Sequence, residues 1–175
     1  MLKGYFMMQN TTNLEFKNKG FRKTVVPTDI MTITDILKST GFFKPFEIDV
    51  AIGLLQDRMK NGERCGYQFY FLELEGRTVA YACYGEIQCT LKNFDIYWLA
   101  VDNNFRGKGL GTLLLKKIEE EIKNHSGRGI YIQTSNKEQY TPTLDFYKKN
   151  GYKQIAVFKD FYAINDNQAV FYKKL

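Results

Sequence analysis

The chain has 175 residues, of which 44% are hydrophobic and 25% charged, and its formal net charge at pH 7 is +6. This length and balance predict one globular domain and exclude a disordered or fibrous chain. The positive charge favours anionic partners, but the lysines and arginines are scattered rather than gathered in a basic tract, which argues against a nucleic-acid-binding face.

Residues 1–13 predict a flexible extension, because Asn and Thr cluster at its end. The segment lacks the sustained apolar core and the small-residue cleavage site of a secretion signal. No apolar run in the chain approaches the roughly 20 residues that cross a bilayer. We therefore expect a cytoplasmic protein without a membrane partner, whose single domain occupies residues 14–175.

The first half of the domain predicts a strand, two helices and three further strands. These elements lie at 21–26, 27–41, 45–60, 68–74, 78–85 and 94–101. Pro45 is suited to the first turn of a helix, and Gly41 to the end of one. The strand at 94–101 is almost wholly apolar, which is typical of a strand buried on both faces.

The second half predicts a strand between two helices, followed by two strands. These elements lie at 109–124, 129–134, 141–150, 153–159 and 168–173. The resulting order is β-α-α-β-β-β-α-β-α-β-β, in which three antiparallel strands lead into a β-loop-α-β unit. We predict an α/β (α+β) fold with a mixed, mostly antiparallel central sheet and helices on both faces.

The three cysteines have no C-x-x-C spacing, and the chain contains a single histidine, His125. An odd, sparse set of cysteines argues against a disulfide framework or a zinc site. One histidine cannot form a histidine-based metal cluster, so we expect no bound metal. His125 lies in a polar stretch and is expected at an exposed helix end.

A glycine-rich segment, F-R-G-K-G-L-G at 105–111, separates the apolar strand from the helix that follows it. The first turn of a helix has unpaired backbone N–H groups and a partial positive charge. Gly107, Gly109 and Gly111 would let a phosphate approach the backbone, and Arg106 and Lys108 add positive charge. The loop is a candidate pyrophosphate site; the alternative is a turn that only connects two elements.

The glycine spacing excludes two common phosphate-binding motifs. The segment lacks the G-x-x-x-x-G-K-[ST] pattern of P-loop enzymes. It also lacks the third-glycine offset of the dinucleotide-binding fingerprint, and no acidic residue follows at a suitable distance.

The sequence from Arg106 to Gly111 matches the signature R/Q-x-x-G-x-G/A and so resembles the GNAT family of N-acetyltransferases. The preceding L-A-V-D at 99–102 and the later F-Y-K-K-N-G-Y at 146–152 are similar to the pieces that flank this signature in the family. The resemblance extends over residues 20–175, although the two first helices match only in architecture. It implies the family's fold and an acetyltransferase domain at 14–175.

The resemblance implies acetyl-CoA as cosubstrate and no metal ion. The pyrophosphate would bind backbone N–H groups of a cradle formed by Arg106, Gly107, Lys108, Gly109, Leu110 and Gly111. The pantetheine arm would pair with the strand backbone near Leu99 and Val101. In the family this strand splays from its parallel neighbour, here about 129–134, and the arm lies in the wedge between them.

An amine acceptor is mostly protonated at neutral pH and has to lose a proton before it attacks a thioester. Asp95 resembles the catalytic glutamate of the histone-acetylating branch, and a period of two places it on one face with Tyr97 and Leu99. A water chain and a merely solvated Asp95 are the alternatives.

The family implies the Leu99 backbone as oxyanion donor. It also implies Tyr147 as the acid for the leaving thiolate, the alternative being a tyrosine that only packs its helix.

The chain departs from the family pattern at one position. Many relatives have an asparagine seven residues before this tyrosine, where it bonds the pantetheine arm, and here that residue is Tyr140. The contact is lost, moved to Asn136, or made by the Tyr140 hydroxyl, and the sequence leaves all three open.

The resemblance places the acceptor between the first two helices and the last pair of strands. The candidate contacts are Phe42, Phe43, Glu47, Tyr97, Phe158, Asp160, Phe161, Tyr162 and Asp166. Rings and carboxylates suit an amine with an apolar part, so we expect a small-molecule amine or a peptide amine. Dimers are frequent in the family, which leaves a homodimer open.

We therefore predict an N-acetyltransferase that moves an acetyl group from acetyl-CoA to a primary amine by direct attack. The alternative within the same fold is a non-catalytic domain that binds or senses CoA. A nucleic-acid-binding module is a third hypothesis, and it requires a basic face that the sequence does not show.

Overall fold

The computed structural model of the chain describes residues 18–175. Residues 1–17, and with them the predicted extension at 1–13, lie outside the described part. The helices and strands are, in order, β1 (Lys19–Arg22), α1 (Asp29–Thr40), α2 (Pro45–Asn61), β2 (Gln68–Leu74), β3 (Arg77–Glu86), β4 (Asn93–Val101), α3 (Leu110–Asn124), β5 (Gly129–Ser135), α4 (Thr141–Lys149), β6 (Lys153–Ala163) and β7 (Asp166–Lys174).

The strands form one seven-stranded sheet in the order β1-β2-β3-β4-β5-β7-β6. Every neighbouring pair is antiparallel except β4 and β5, which are parallel. A parallel pair needs a crossover, and α3 supplies it. The predicted mixed, mostly antiparallel sheet is confirmed.

The helices cover the two faces of the sheet. Buried residues of α3, including Leu114 and Ile118, pack with Tyr147 of α4 against one face. Ile33 and Leu37 of α1 and Leu55 of α2 pack against the other. Burial of these apolar stripes, rather than helix propensity, stabilises both layers. The prediction of helices on both faces is confirmed.

Three predicted strands, the first and the last two, have clearly different bounds in the structure. The first strand was expected at 21–26 but pairs with β2 only over Lys19–Arg22. The last two strands are longer than predicted, because their pairing continues to Ala163 and Asp166 beside a two-residue turn. A polar stretch that reads as a loop in sequence is therefore mostly strand.

A cluster of charged side chains fastens β1 to the start of α1. The Arg22 guanidinium donates to both carboxylate oxygens of Asp29, at 2.9 and 2.8 Å, and its Nε donates to Glu73 at 2.7 Å. The backbone N–H of Val26 also donates to Asp29, at 2.8 Å. Asp29 is almost fully buried, and these donors replace the water that would otherwise solvate its carboxylate.

Within residues 18–175, no helix combines the length and the apolar character needed to cross a membrane. The exposed His125 follows the last residue of α3, as predicted.

Replacing Asp29 by Ala should lower the free energy of unfolding by about 2–3 kcal/mol, because it leaves the Arg22 guanidinium without its main partner. Urea denaturation with a common m-value measures the change. The matched control is Asp145→Ala, since Asp145 is exposed and its closest cation, Lys148, is 3.8 Å away; its effect should stay below about 0.5 kcal/mol. Equal effects of the two substitutions would contradict the prediction.

Candidate active site

The parallel strands β4 and β5 pair over only four residues and then separate. Asn93 to Ile96 lie opposite Gly129 to Ile132, and no pairing follows although both strands continue. The remainder of β4, residues 97–101, therefore forms one wall of an open wedge. The splay that the resemblance implies is present.

A β-bulge in β4 lies where the wedge begins. On β3, Cys83 pairs with Trp98 while Tyr84 pairs with Ile96, so Tyr97 is the extra residue on β4. A bulge bends its strand and increases the local twist. The bend carries the second half of β4 away from β5 while its pairing with β3 continues.

The hydrogen-bond pattern of β4 shows which backbone groups face the wedge. The N–H of Asp102 donates to Val79 O at 2.9 Å, which makes these two residues a hydrogen-bonded pair. Hydrogen-bonded and non-bonded pairs alternate along an antiparallel ladder. Leu99, opposite Ala82, and Val101 are then non-bonded, and their N–H and C=O groups point away from β3 into the wedge.

The bulge corrects the prediction that Asp95, Tyr97 and Leu99 share one face. Phe94 and Ile96 pack with the α3 and α4 layer before the bulge, and Leu99 packs with that same layer after it. The bulge has shifted the alternation by one residue. The Asp95 side chain therefore lies on the opposite face from the Leu99 side chain, and a strict period of two was the wrong assumption.

The glycine-rich loop lies at the end of the wedge and opens directly into α3. Gly107 and Gly109 have φ angles of +75° and +76°, and a Cβ at either residue would meet open space. Their backbone conformation requires glycine. The first intrahelical bond runs from Leu113 N to Gly109 O. The preceding N–H groups of the helix are therefore available to an anion, and the loop fits a pyrophosphate.

Gly111 has a different role from the two other glycines. A Cβ at this position would lie 3.4 Å from the Phe146 ring and 3.6 Å from Val101. These are ordinary van der Waals distances, so Gly111 lies against α4 and the wedge strand and its packing does not require glycine.

Contacts from three directions hold the loop in place. The Asp102 carboxylate accepts from Asn104 N at 2.9 Å and from Arg77 at 3.2 Å. The N–H of Asn103 donates to Ser39 Oγ in α1 at 3.0 Å. The exposed Arg106 guanidinium lies 5.1 Å from the centre of the Phe42 ring, a cation–π contact. Phe42, predicted as an acceptor contact, thus contacts the glycine-rich loop.

Tyr147 lies in the aromatic layer beneath the sheet. It is 6% exposed, and its ring centre is 5.2 Å from that of Phe146, 6.0 Å from Tyr152 and 5.7 Å from Phe171. Burial raises the pKa of its hydroxyl well above the usual value. The hydroxyl is therefore protonated at neutral pH and can donate a proton.

Asp95 lies on the other face of the sheet, beside the point at which β4 and β5 part. Burial raises its pKa to about 6, and a hydrogen bond from Gln133 opposes part of that rise. Gln133 Nε2 donates to the two carboxylate oxygens at 3.2 and 3.4 Å. A carboxylate with such a pKa is mostly ionised at pH 7 and more basic than an ordinary aspartate.

Several residues predicted to hold the acceptor are engaged in local structure. The Glu47 carboxylate accepts from Lys44 N at 2.7 Å and caps α2. The Asp160 carboxylate accepts from Asn165 N at 2.7 Å within the hairpin of β6 and β7. Asp166 is buried and accepts from Ser135 Oγ at 2.6 Å. Each of the three carboxylates therefore already has a hydrogen-bond partner within the fold.

The aromatic candidates divide into packed and open rings. Phe43 lies 5.0 Å from the Trp98 ring and joins the α1 and α2 layer. Tyr97, Phe158, Phe161 and Tyr162 are between 42% and 57% exposed. Exposed rings therefore lie at two places, on β6 and at the bulge of β4.

The two alternatives for the missing asparagine lie at the start of α4. The Tyr140 hydroxyl donates to Phe42 O at 3.4 Å, and the Tyr140 ring contacts the Phe42 ring. Asn136 is fixed through its backbone N–H, which donates to Asn167 O at 3.0 Å. Both residues follow β5 in the chain, and β5 is the strand that separates from β4 at the wedge.

Sequence reasoning missed Gln133 and Gln168. Gln133 occupies the middle of a strand, where a polar side chain is unusual, and this was the only signal in the sequence. Its position beside Asp95 follows from the parallel register of β4 and β5, which no local pattern encodes.

The chain matches a family model described as an acetyltransferase (GNAT) domain over residues 65–154, just over half of its length. An N-alpha-acetyltransferase of Sulfurisphaera tokodaii is 27% identical over 107 residues, 54% of this chain. The matches to curated relatives span 45% and 62% of those proteins, less than two thirds of their length.

Solved structures resemble the whole described fold. A protein of Desulfovibrio desulfuricans assigned to the GNAT family of acetyltransferases superposes with a TM-score of 0.87 at 34% identity, covering 90% of this chain and 99% of its own. An aminoglycoside 6'-N-acetyltransferase complexed with coenzyme A superposes with a TM-score of 0.69 at 19% identity, covering 88% of this chain and 96% of its own. The second likeness concerns the fold alone.

Replacing Gly109 by Ala should lower the free energy of unfolding by about 1 kcal/mol, because alanine is strained at a positive φ. The matched control is Gly53→Ala in the exposed interior of α2, where a Cβ also meets open space. That change should raise stability by about 0.5–1 kcal/mol. Urea denaturation measures both, and effects of the same sign would contradict the assignment.

Proposed function

Because the chain belongs to the GNAT family of acetyltransferases, we propose that it transfers the acetyl group of acetyl-CoA to a primary amine. The observation that carries this proposal is the wedge between β4 and β5, which ends at the glycine-rich start of α3. A wedge lined by backbone amides and closed by an anion site fits a ligand with an amide-bearing arm and a pyrophosphate.

The wedge wall supports an extended ligand through backbone hydrogen bonds. The N–H and C=O groups of Leu99 and Val101 have lost strand pairing on their open side. An open strand edge accepts an extended chain through backbone hydrogen bonds. Pantetheine contains two amides and can supply such partners, with Asn136 and Tyr140 on the β5 side.

The loop of residues 106–111 supports the binding of the pyrophosphate. Gly107 and Gly109 leave the backbone bare, and the helix start contributes N–H groups with partial positive charge. Arg106 and Lys108 are exposed cations on the same loop. The coenzyme A bound by the related aminoglycoside acetyltransferase makes the same ligand class reasonable here.

Two side chains on opposite faces of the sheet can divide the proton transfers. Asp95 accepts the proton of the amine, directly or through a water, and its raised pKa suits that task. The amine then attacks the thioester carbonyl, and the N–H of Leu99 stabilises the negative oxygen. The Tyr147 hydroxyl, protonated at neutral pH as an ordinary tyrosine is, donates its proton to the leaving thiolate.

The exposed rings near the bulge and β6 support an acceptor with an apolar or aromatic part. Tyr97 and Tyr162 are exposed, and the Asp95 carboxylate lies on β4 where the pairing with β5 ends. Thiol release from acetyl-CoA, measured across a panel of small amines and peptide amines, would identify the acceptor class. A chain that binds CoA and releases no thiol with any amine would be a non-catalytic binding domain.

Replacing Tyr147 by Phe should lower kcat by about 100-fold or more and leave the affinity for coenzyme A within about threefold, because only the proton donor is lost. Thiol release and calorimetry measure the two quantities. The matched control is Tyr152→Phe, whose ring is 6.0 Å from that of Tyr147 and has no proposed role in the transfer. Unchanged turnover of the Tyr147 variant would refute the assignment of the acid.

Activity should fall as the pH drops through about 6, because protonation of Asp95 removes the base. A folded-state pKa raised above the ordinary value moves this loss to higher pH than an exposed aspartate would give. In Asp95→Asn, kcat/KM should be at least about 100-fold lower and should lack this titration. The pH dependence of kcat/KM, measured with one amine, tests both points, and an identical profile in the variant would exclude Asp95 as the base.

A further inference from the structure

We propose that Gln133 is a positioning residue for the transfer reaction, held by Gln168 and Tyr162 so that it orients the Asp95 carboxylate. This inference rests on the proposed role of Asp95 as the base. The three supporting residues lie on β5, β7 and β6, and with Asp95 on β4 they span four neighbouring strands of the sheet.

The chain of contacts is continuous. Gln133 Nε2 lies 3.2 and 3.4 Å from the Asp95 oxygens, and Gln133 Oε1 accepts from Gln168 Nε2 at 3.3 Å. Gln168 Nε2 also donates to the Tyr162 hydroxyl oxygen at 3.3 Å. Each residue of the chain therefore contacts the next across the strands.

The chemistry of the groups fixes the orientation of both amides. An ionised carboxylate can only accept hydrogen bonds, so Gln133 has to turn its NH₂ group toward Asp95. Its carbonyl oxygen then faces Gln168, which in turn has to present its own NH₂ group. Gln168 is 5% exposed, and a buried amide in the reverse orientation would oppose oxygen to oxygen.

The effect of this arrangement is to restrict the orientation of the Asp95 carboxylate. An exposed glutamine on a strand is free to adopt several rotamers, whereas the bond to buried Gln168 restricts Gln133. Asp95 in turn lies where β4 and β5 stop pairing, so the position of its oxygens relative to the wedge depends on Gln133. The exposed Tyr162 connects this support to the predicted acceptor region.

Other ionisable groups near Asp95 are few on the elements around it. On its own strand, Tyr97 has a pKa raised by burial first and by the charge of Asp95 second. On β5, Tyr131 lies directly opposite in the register, and on β3 the partner is Gly85, which has no side chain. Gln133 is the group that stabilises the ionised form by a hydrogen bond.

The test compares Gln133→Met with Gln154→Met, an exposed glutamine on β6 that is outside the chain of contacts. The titration of Asp95 is followed by carbon NMR of its carboxyl group, without substrate. In Gln133→Met the midpoint should rise by about one pH unit, because a charge-stabilising bond is lost. Gln168→Met should raise it by a smaller amount, and Gln154→Met should leave it unchanged.

The same variants are then assayed for the pH dependence of kcat/KM. The acid limb of Gln133→Met should shift upward by the same amount as the NMR midpoint, with kcat reduced and KM little changed. An Asp95 midpoint equal to that of the control would overturn the inference. So would a raised midpoint without any shift of the acid limb. In that second case, the turnover of Asp95→Asn separates two explanations. Wild-type turnover in this variant would show that Asp95 is not the base, while the contact between Gln133 and Asp95 would still stand.

Discussion

The unpaired edge of the second half of β4 is the constraint on which the site depends. A strand in the middle of a sheet normally finds partners on both sides, but here the extra residue Tyr97 bends β4 after it has paired with β5 for four residues. The groups of Leu99 and Val101 then face an opening rather than a neighbouring strand. An open strand edge can pair with an extended chain, so the opening suits a ligand that supplies backbone-like hydrogen-bond partners.

The same strand brings the opening to a helix start. β4 ends at Val101, the carboxylate of the next residue, Asp102, fixes the first turn of the loop, and the loop leads into α3. Two glycines of the loop, Gly107 and Gly109, permit a left-handed backbone, whereas Gly111 lies in ordinary contact with Phe146. A linear ligand with an anionic end can then meet both the strand edge and the helix N-terminus at once.

Burial raises the pKa of both proposed proton carriers. The raised pKa makes the Asp95 carboxylate a stronger base, and the Tyr147 hydroxyl remains in its protonated form. Asp95 and Tyr147 lie on different faces of the sheet, because Tyr147 belongs to the α3 and α4 layer and Asp95 points away from it. In the proposed reaction the proton therefore enters and leaves the reacting centre through separate groups.

The sequence by itself determined the order of the elements, the two helical layers and the glycine-rich loop. These features are local: apolar periodicity, turn residues and glycine spacing are written in short stretches, and a three-part motif identified the family. The bounds of β1 and of the final hairpin were less accurate, because strand pairing extends or shortens a strand beyond its own pattern.

Only the tertiary structure decided which side chains meet. The bulge at Tyr97 changed the face of Leu99 relative to Asp95, and no local pattern announces one extra residue in a ladder. The contact of Gln133 with Asp95 depends on the register of two strands that are far apart in sequence. Strand register and burial are properties of the assembled sheet. The geometry of the site and the pKa shifts of its groups are therefore set only when the strands pair.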